Sequence, residues 1–261
     1  MPESESPTGP SHCSGCQRPL IPGARFCRDC GRSVADGVDP NVAITAVPVK
    51  ADFDVRWKNV QTVAWLFGLL LATSFIFGLV AHHYHSPWVD LIASSIDALV
   101  VLAFAIFART SVGPLFALPR CNRRGTLLLV LLAVGFFVLM SAYFDVLKNL
   151  GIPILRVTDE YRDAGWPVGA MFLLDSVMPG IVEEIAFRGV IQSVLERTVN
   201  ARDAWLIQAA LFSVLHLSPM MFPSHFVMGL VFGYVRLRTR SLYPGMVLHA
   251  SWNALQIFAE I

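Results

Sequence analysis

Two adjacent acids and an arginine, Glu183, Glu184 and Arg188, are the charged residues of the otherwise apolar stretch GIVEEIAFRGVI at residues 180–191. Ionisable groups inside a membrane span are costly, and they face a watery cavity, pair with one another, or carry function. On a helix, Glu184 and Arg188 are i,i+4 neighbours with the acid N-terminal, the favourable order for an ion pair. Glu183 is rotated by about 100° from Glu184 and has no such local partner. The two acids therefore read as inequivalent. One holds the arginine, and the other is free to ionise or to take a proton, as a general base must. Two later apolar stretches add imidazoles: LFSVLHLS sets Phe212 and His216 one turn apart, and MVLHASWNAL does the same for His249 and Asn253. Between them, Gly229 and Gly233 form a GxxxG face that lets helices approach closely, which would draw acids and imidazoles into one cavity. Taken singly, each of these residues also suits a structural bond between helices or a proton path in a transporter.

The elements that must position these residues are membrane helices. Of 261 residues, 55% are hydrophobic and only 15% are charged, and the mean hydropathy is +0.58. Soluble domains carry more charge and less apolar surface. The net charge of +1 says nothing about nucleic acid, and with no basic stripe with interleaved aromatics to suggest it, no nucleic-acid partner is expected. Apolar runs of spanning length lie at about 59–81, 88–108, 125–147, 167–192, 203–218, 220–235 and 241–258. Basic and non-basic loops alternate between them. By the positive-inside rule this places the N-terminus inside and the C-terminus outside. Asp97, Asp145 and Asp175 are further acids in or near these spans and read as helix–helix bonding or cavity lining. The tract Arg236, Arg238 and Arg240 reads as topological, with anionic lipid headgroups as a further contact.

The polar N-terminal segment has a separate chemistry. Cys13, Cys16, Cys27 and Cys30 form two CxxC knuckles, and four thiolates around zinc make a closed structural site that supplies folding energy to a small segment. The alternative is two disulfides, which need an oxidising compartment. The zinc reading puts the N-terminus in the cytosol, where such a ribbon would recruit or position a protein partner. Cys121 reads as a plain thiol in a loop. The sequence thus predicts an all-α multi-pass membrane protein of about seven transmembrane helices with a small N-terminal zinc-ribbon domain. The divisions are a ribbon at 1–32, a linker at 33–57 and a polytopic membrane domain at 58–261.

In their order and spacing the motifs resemble those of the CPBP family of intramembrane proteases, which includes type II CAAX endopeptidases and bacteriocin-processing proteins. EExxxR appears as Glu183, Glu184 and Arg188, and FxxxH as Phe212 and His216. The third motif appears as Phe226, Gly229, Gly233 and Thr239, followed by His249 and Asn253. The resemblance covers about 125–258 and implies peptide-bond hydrolysis within the membrane. It implies that Glu183 activates a water, that His216 helps to orient it, and that His249 and Asn253 face the developing oxyanion. Glu184, Arg188 and Phe212 would support them. The family has also been described as metalloproteases. Two histidines and two carboxylates permit a zinc with an open position, yet no HExxH is present, and the expectation is catalysis without a bound metal. The expected substrate is a membrane-anchored, lipidated or membrane-active peptide or protein. A non-hydrolytic scaffold or immunity-type protein that binds peptide in the same cavity is the alternative.

Overall fold

The structure is a computed structural model that describes residues 12–13, 16–20, 27–29, 49–119, 123–152 and 157–260. It divides into an N-terminal unit, Met1–Val55, and a body, Arg56–Ile261. In the first unit the chain turns back through an antiparallel bridge between His12 and Pro19. The Cys13 amide donates to the Arg18 carbonyl (2.8 Å), and the Gln17 amide donates to the Cys13 carbonyl (2.9 Å). Gln17 closes this knuckle in the left-handed region, at φ 58°. Cys30, Cys121 and most of the expected linker lie outside the described residues.

The body is helical, and no β-strand occurs among the described residues. It begins with α1 (Val49–Tyr84), α2 (Pro87–Phe107), the short α3 (Arg109–Val112) with a 3₁₀ turn at Gly113–Phe116, and α4 (Arg123–Asn149). Helix α1 starts ahead of the span expected at 59–81. Pro87 opens α2 after an extended Ser86, where a missing N–H costs nothing and the fixed φ suits the first turn. Helices α1, α2 and α4 are long and apolar enough to cross a membrane. They turn large apolar groups outward: Trp65 is 66%, Leu99 68% and Val138 65% exposed. That pattern suits lipid as the surrounding solvent.

After the small α5 (Val157–Asp163), the fourth apolar run forms one helical path with changing pitch. Its α-helical parts are α6 (Val168–Met171), α7 (Met178–Glu183) and α8 (Gln192–Leu195). The stretches between them, Phe172–Val177 and Glu184–Ile191, are π-helical. Pro179, in the first turn of α7, cannot donate to the ladder, which favours such a break. Single π turns inside α-helices concentrate at functional sites.

Helices α9 (Ala201–Leu215), α10 (Phe222–Thr239) and α11 (Tyr243–Glu260) complete the bundle. Asn200 caps α9 by accepting the Asp203 amide at 2.9 Å. Arg240 ends α10 in the left-handed region, at φ 52°. The GxxxG face packs against α9: a Cβ on Gly229 would lie 2.6 Å from Ala209 Cα. Into this contact Gln208 donates to the Gly229 carbonyl and Trp205 to the Leu230 carbonyl, both at 2.8 Å. The expected spans at 203–218, 220–235 and 241–258 fall on helices of 15, 18 and 18 residues. An 18-residue helix is about 27 Å long against a hydrocarbon core of about 30 Å. Helices α9 to α11 are therefore at or below the spanning minimum.

Candidate active site

Glu184 and Arg188 stand on the second π stretch at the centre of the bundle. Arg188 Nη1 lies 2.9 Å from Glu184 Oε1, with both side chains almost wholly buried. Three aromatic rings surround the guanidinium, with Phe212 nearest at 4.3 Å from Cζ to ring centroid, then Phe232 at 5.4 Å. Stripping water from such a pair is costly unless its partners are well placed. Here the rings add cation–π attraction, and α11 brings a third polar group. His249 Nδ1 lies 3.3 Å from the same Glu184 Oε1, while its Nε2 faces Glu183 Oε2 at 3.9 Å. One imidazole thus spans both acids. A cradle on α11 keeps Glu184 in place: a Cβ on Gly245 would sit 2.6 Å from Glu184 Oε2.

Glu183 is in a different position. Its side chain is 24% exposed, against 1% for Glu184, and its Oε2 is buried without a hydrogen-bond partner among the described residues. The 3.9 Å approach of His249 is too long for a hydrogen bond and leaves room for a third atom to mediate.

Phe212 joins the two histidines of the motifs. Its ring packs edge-on to His216 at 5.0 Å and to His249 at 5.8 Å. His216 makes no ion pair with Glu183 among the described residues. Its Nδ1 bonds the Phe212 carbonyl at 2.9 Å, which makes Nδ1 the donor and leaves Nε2 as the free acceptor. Asn253 sits one turn beyond His249 on α11, half-buried. A residue outside the motif positions also enters: His225 of α10 packs against His216 at a tilt of 37°, with ring centroids 3.7 Å apart. Its Nδ1 likewise bonds its own helix, at the Met221 carbonyl (2.9 Å). The available signal was a histidine in the first turn of the glycine-bearing helix, on a face that sequence spacing alone does not orient. Arg236, one of the tract read as topological, is paired inside the protein. It is 8% exposed and donates to Glu196 and to Ser193, both at 2.5 Å, because its turn of α10 packs against the end of the π-containing rod.

Two cavities flank the acids and share Val101 and Val182 as walls. The larger, about 420 Å³, is lined almost entirely by apolar groups of α2, α3 and the 3₁₀ turn, with Ile185 from the rod and Arg109 at its edge. The smaller, about 80 Å³, contains Glu183 together with Asp97, Ser74 and Ser94.

The cysteines form a separate centre. Cys13, Cys16 and Cys27 place their sulfurs within 4.8 Å of one another, with Cys16 and Cys27 at 3.5 Å. Sulfurs around a tetrahedral zinc are separated by about 3.8 Å, from Zn–S of about 2.3 Å, so this spacing fits a metal ion. The Asp29 amide points at Cys27 Sγ at 3.4 Å, an outer contact of the kind that steadies a thiolate ligand.

Part of the membrane body that carries this geometry is similar to known proteins. Residues 165–255 match the family model described as type II CAAX prenyl endopeptidase Rce1-like. The matched window contains Glu183, Glu184, Arg188, Phe212, His216, His249 and Asn253. It is also 26% identical over 104 residues to a protein of Bacillus subtilis (strain 168) named "Putative membrane peptidase YdiL". That alignment covers 40% of this chain and 43% of the relative. No solved structure matches.

Proposed function

We propose that the chain is an intramembrane endopeptidase in which Glu183 activates the hydrolytic water. The observation that carries this reading is the inequivalence of the two acids. Glu184 is 1% exposed and its Oε1 is held by both Arg188 and His249, whereas Glu183 has no such ion pair with Arg188, is 24% exposed and lines a cavity. In the reaction Glu183 takes a proton from water as the water oxygen attacks the peptide carbonyl. The proton then passes to the departing amine nitrogen as the C–N bond breaks, giving a carboxylate product and an amine. The Glu184 carboxylate accepts from His249 Nδ1 and so sets the tautomer. When His249 is protonated, its Nε2 donates to the oxyanion beside Asn253, where a donor aimed at developing charge is most effective. His216, with Nε2 free, orients the water.

A bound catalytic metal is not required by this scheme. The larger apolar cavity suits a transmembrane or lipid-bearing substrate, so a membrane-anchored, lipidated or membrane-active peptide or protein is the proposed class. Cys13, Cys16, Cys27 and Cys30 would hold a structural zinc, with the N-terminus cytosolic, the C-terminus outside and the ribbon recruiting a cytosolic protein. The full count of seven spans belongs to the same proposal.

The test is turnover of a quenched peptide library, including farnesylated members, by the purified protein in nanodiscs. Wild type is run beside Glu183→Gln and His216→Ala, with and without chelator. Cleavage lost in both variants and retained with chelator is expected. Loss on chelation that persists in a ribbon-deleted protein would instead assign a catalytic metal. No cleavage by any form would favour a peptide-binding scaffold.

A further inference from the structure

The smaller cavity reaches beyond the matched segment and recruits α1 and α2 to the site. Ser74 comes from α1, Ser94 and Asp97 from α2, and Met178 and Glu183 from α7. Ser94 and Asp97 are i,i+3 neighbours and share a helix face. Asp97 Oδ1 and Glu183 Oε2 are both buried without a hydrogen-bond partner among the described residues. Buried polar atoms that lack a protein partner are satisfied by water where the space is polar and large enough. At about 30 Å³ per water, a cavity of about 80 Å³ takes two or three. It ends at Leu215, next to His216, and it borders the larger apolar cavity at Val101 and Val182. Glu183 therefore lines a chamber that also carries Ser74, Ser94 and Asp97 among apolar walls, with Val101 and Val182 shared with the larger apolar cavity.

We infer that Ser74, Ser94 and Asp97 form the wall of a water-holding chamber serving Glu183, and that Asp97 is a positioning residue for the hydrolytic water. The inference rests on the reading of Glu183 as general base. Asp97 accepts a hydrogen bond from a second chamber water whose other hydrogen is donated to the hydrolytic water; the hydrolytic water donates to Glu183 and to His216 Nε2, and its remaining lone pair is aimed toward the apolar cavity where the substrate carbonyl lies. Asp97 forms no bond to substrate, and its part is orientation. Misplacing a reacting group by about 1 Å can lower the rate by about 100-fold.

Two measurements on the full chain in nanodiscs test this. The first is steady-state cleavage of a peptide turned over by wild type. Asp97→Asn is expected to lower kcat by about 10- to 100-fold with KM within about twofold, and Asp97→Glu to recover most of the loss. Ser94→Ala should lower kcat in the same direction by less. A merely structural Asp97 would show no such split between kcat and KM and no recovery by the longer acid. If Asp97→Asn is folded and its kcat stays within about twofold of wild type, the inference is overturned.

The second measurement needs no turnover. Radiolytic hydroxyl-radical footprinting, read by mass spectrometry, labels side chains beside bound water. Met178 on the chamber wall should label faster than Met140, which is 2% exposed in the apolar core. Asp97→Leu should slow Met178 and leave Met140 unchanged. Equal labelling of Met178 and Met140, or a Met178 rate indifferent to Asp97→Leu, overturns the chamber. Should Glu183→Gln cleave as well as wild type, the proposed role of Glu183 fails, while the footprint still decides whether the chamber holds water.

Discussion

The membrane body contains two regions built on opposite rules. In α1, α2 and α4, large apolar side chains point outward and the helices are long. In the π-containing rod with α9, α10 and α11, charged and amide groups lie inside: Glu184, Arg188, Gln192 and Gln208 are all at 0% exposure. The outward-facing helices suit lipid, and the inner region sets its buried charges against one another, with Glu184 Oε2, Arg188 Nε, Gln192 Oε1 and Gln208 Oε1 lacking a hydrogen-bond partner among the described residues. A bundle can bury a charge only where each partner is placed, which explains the single-turn devices around Glu184: the π stretch, the Gly245 cradle and the Phe212 ring. The contrast has consequences for how each region tolerates change.

The largest effect on stability is expected at the buried pair. Removing one partner leaves an uncompensated charge, at about 3–5 kcal/mol. Arg188→Ala should therefore yield little folded protein, seen as a collapsed melting transition in detergent. Next are the glycines of close approach. Gly245→Val should drive a side chain into the Glu184 carboxylate, and Gly229→Val into the α9 backbone, each destabilising by about 1–3 kcal/mol. Thermal melts of the two variants measure this. Arg236→Ala should be milder if Glu196 can turn toward water, since Glu196 is 25% exposed. At the low end, Leu131→Ala on the outward face of α4, where Leu131 is 58% exposed, should leave the melting temperature within a degree or two of wild type. A large loss at Leu131 together with tolerance at Arg188 would reverse the assignment of the two regions.

Much of the inner region was legible in the sequence because its local geometry follows from spacing. The i,i+4 relation of Glu184 and Arg188, the lack of a local partner for Glu183, and the close approach at Gly229 all depend on one helix turn. The bridge from His249 to Glu184 was not legible. It joins residues 65 apart and exists only once α11 docks on the rod. The π stretches also gave little warning, since a shift from i→i+4 to i→i+5 bonding changes no composition. His225 and Asp97 were obscured for another reason. A lone histidine or acid on a helix acquires its neighbours from other helices, and no periodicity names them. The spans were legible as apolar runs, but their strength as spans was not, because the buried polar groups of α9 to α11 dilute them.

The central claim is that Glu183, and not its ion-paired neighbour, performs the chemistry. It is tested most directly by comparing turnover of wild type and Glu183→Gln at matched concentrations of folded protein, on one peptide that wild type cleaves. The amide is nearly isosteric and leaves the Glu184–Arg188–His249 group untouched, so the melting temperature should hold. Turnover should fall by at least about 100-fold, the lower range for loss of a general base. A folded Glu183→Gln protein that cleaves within about tenfold of wild type would contradict the assignment.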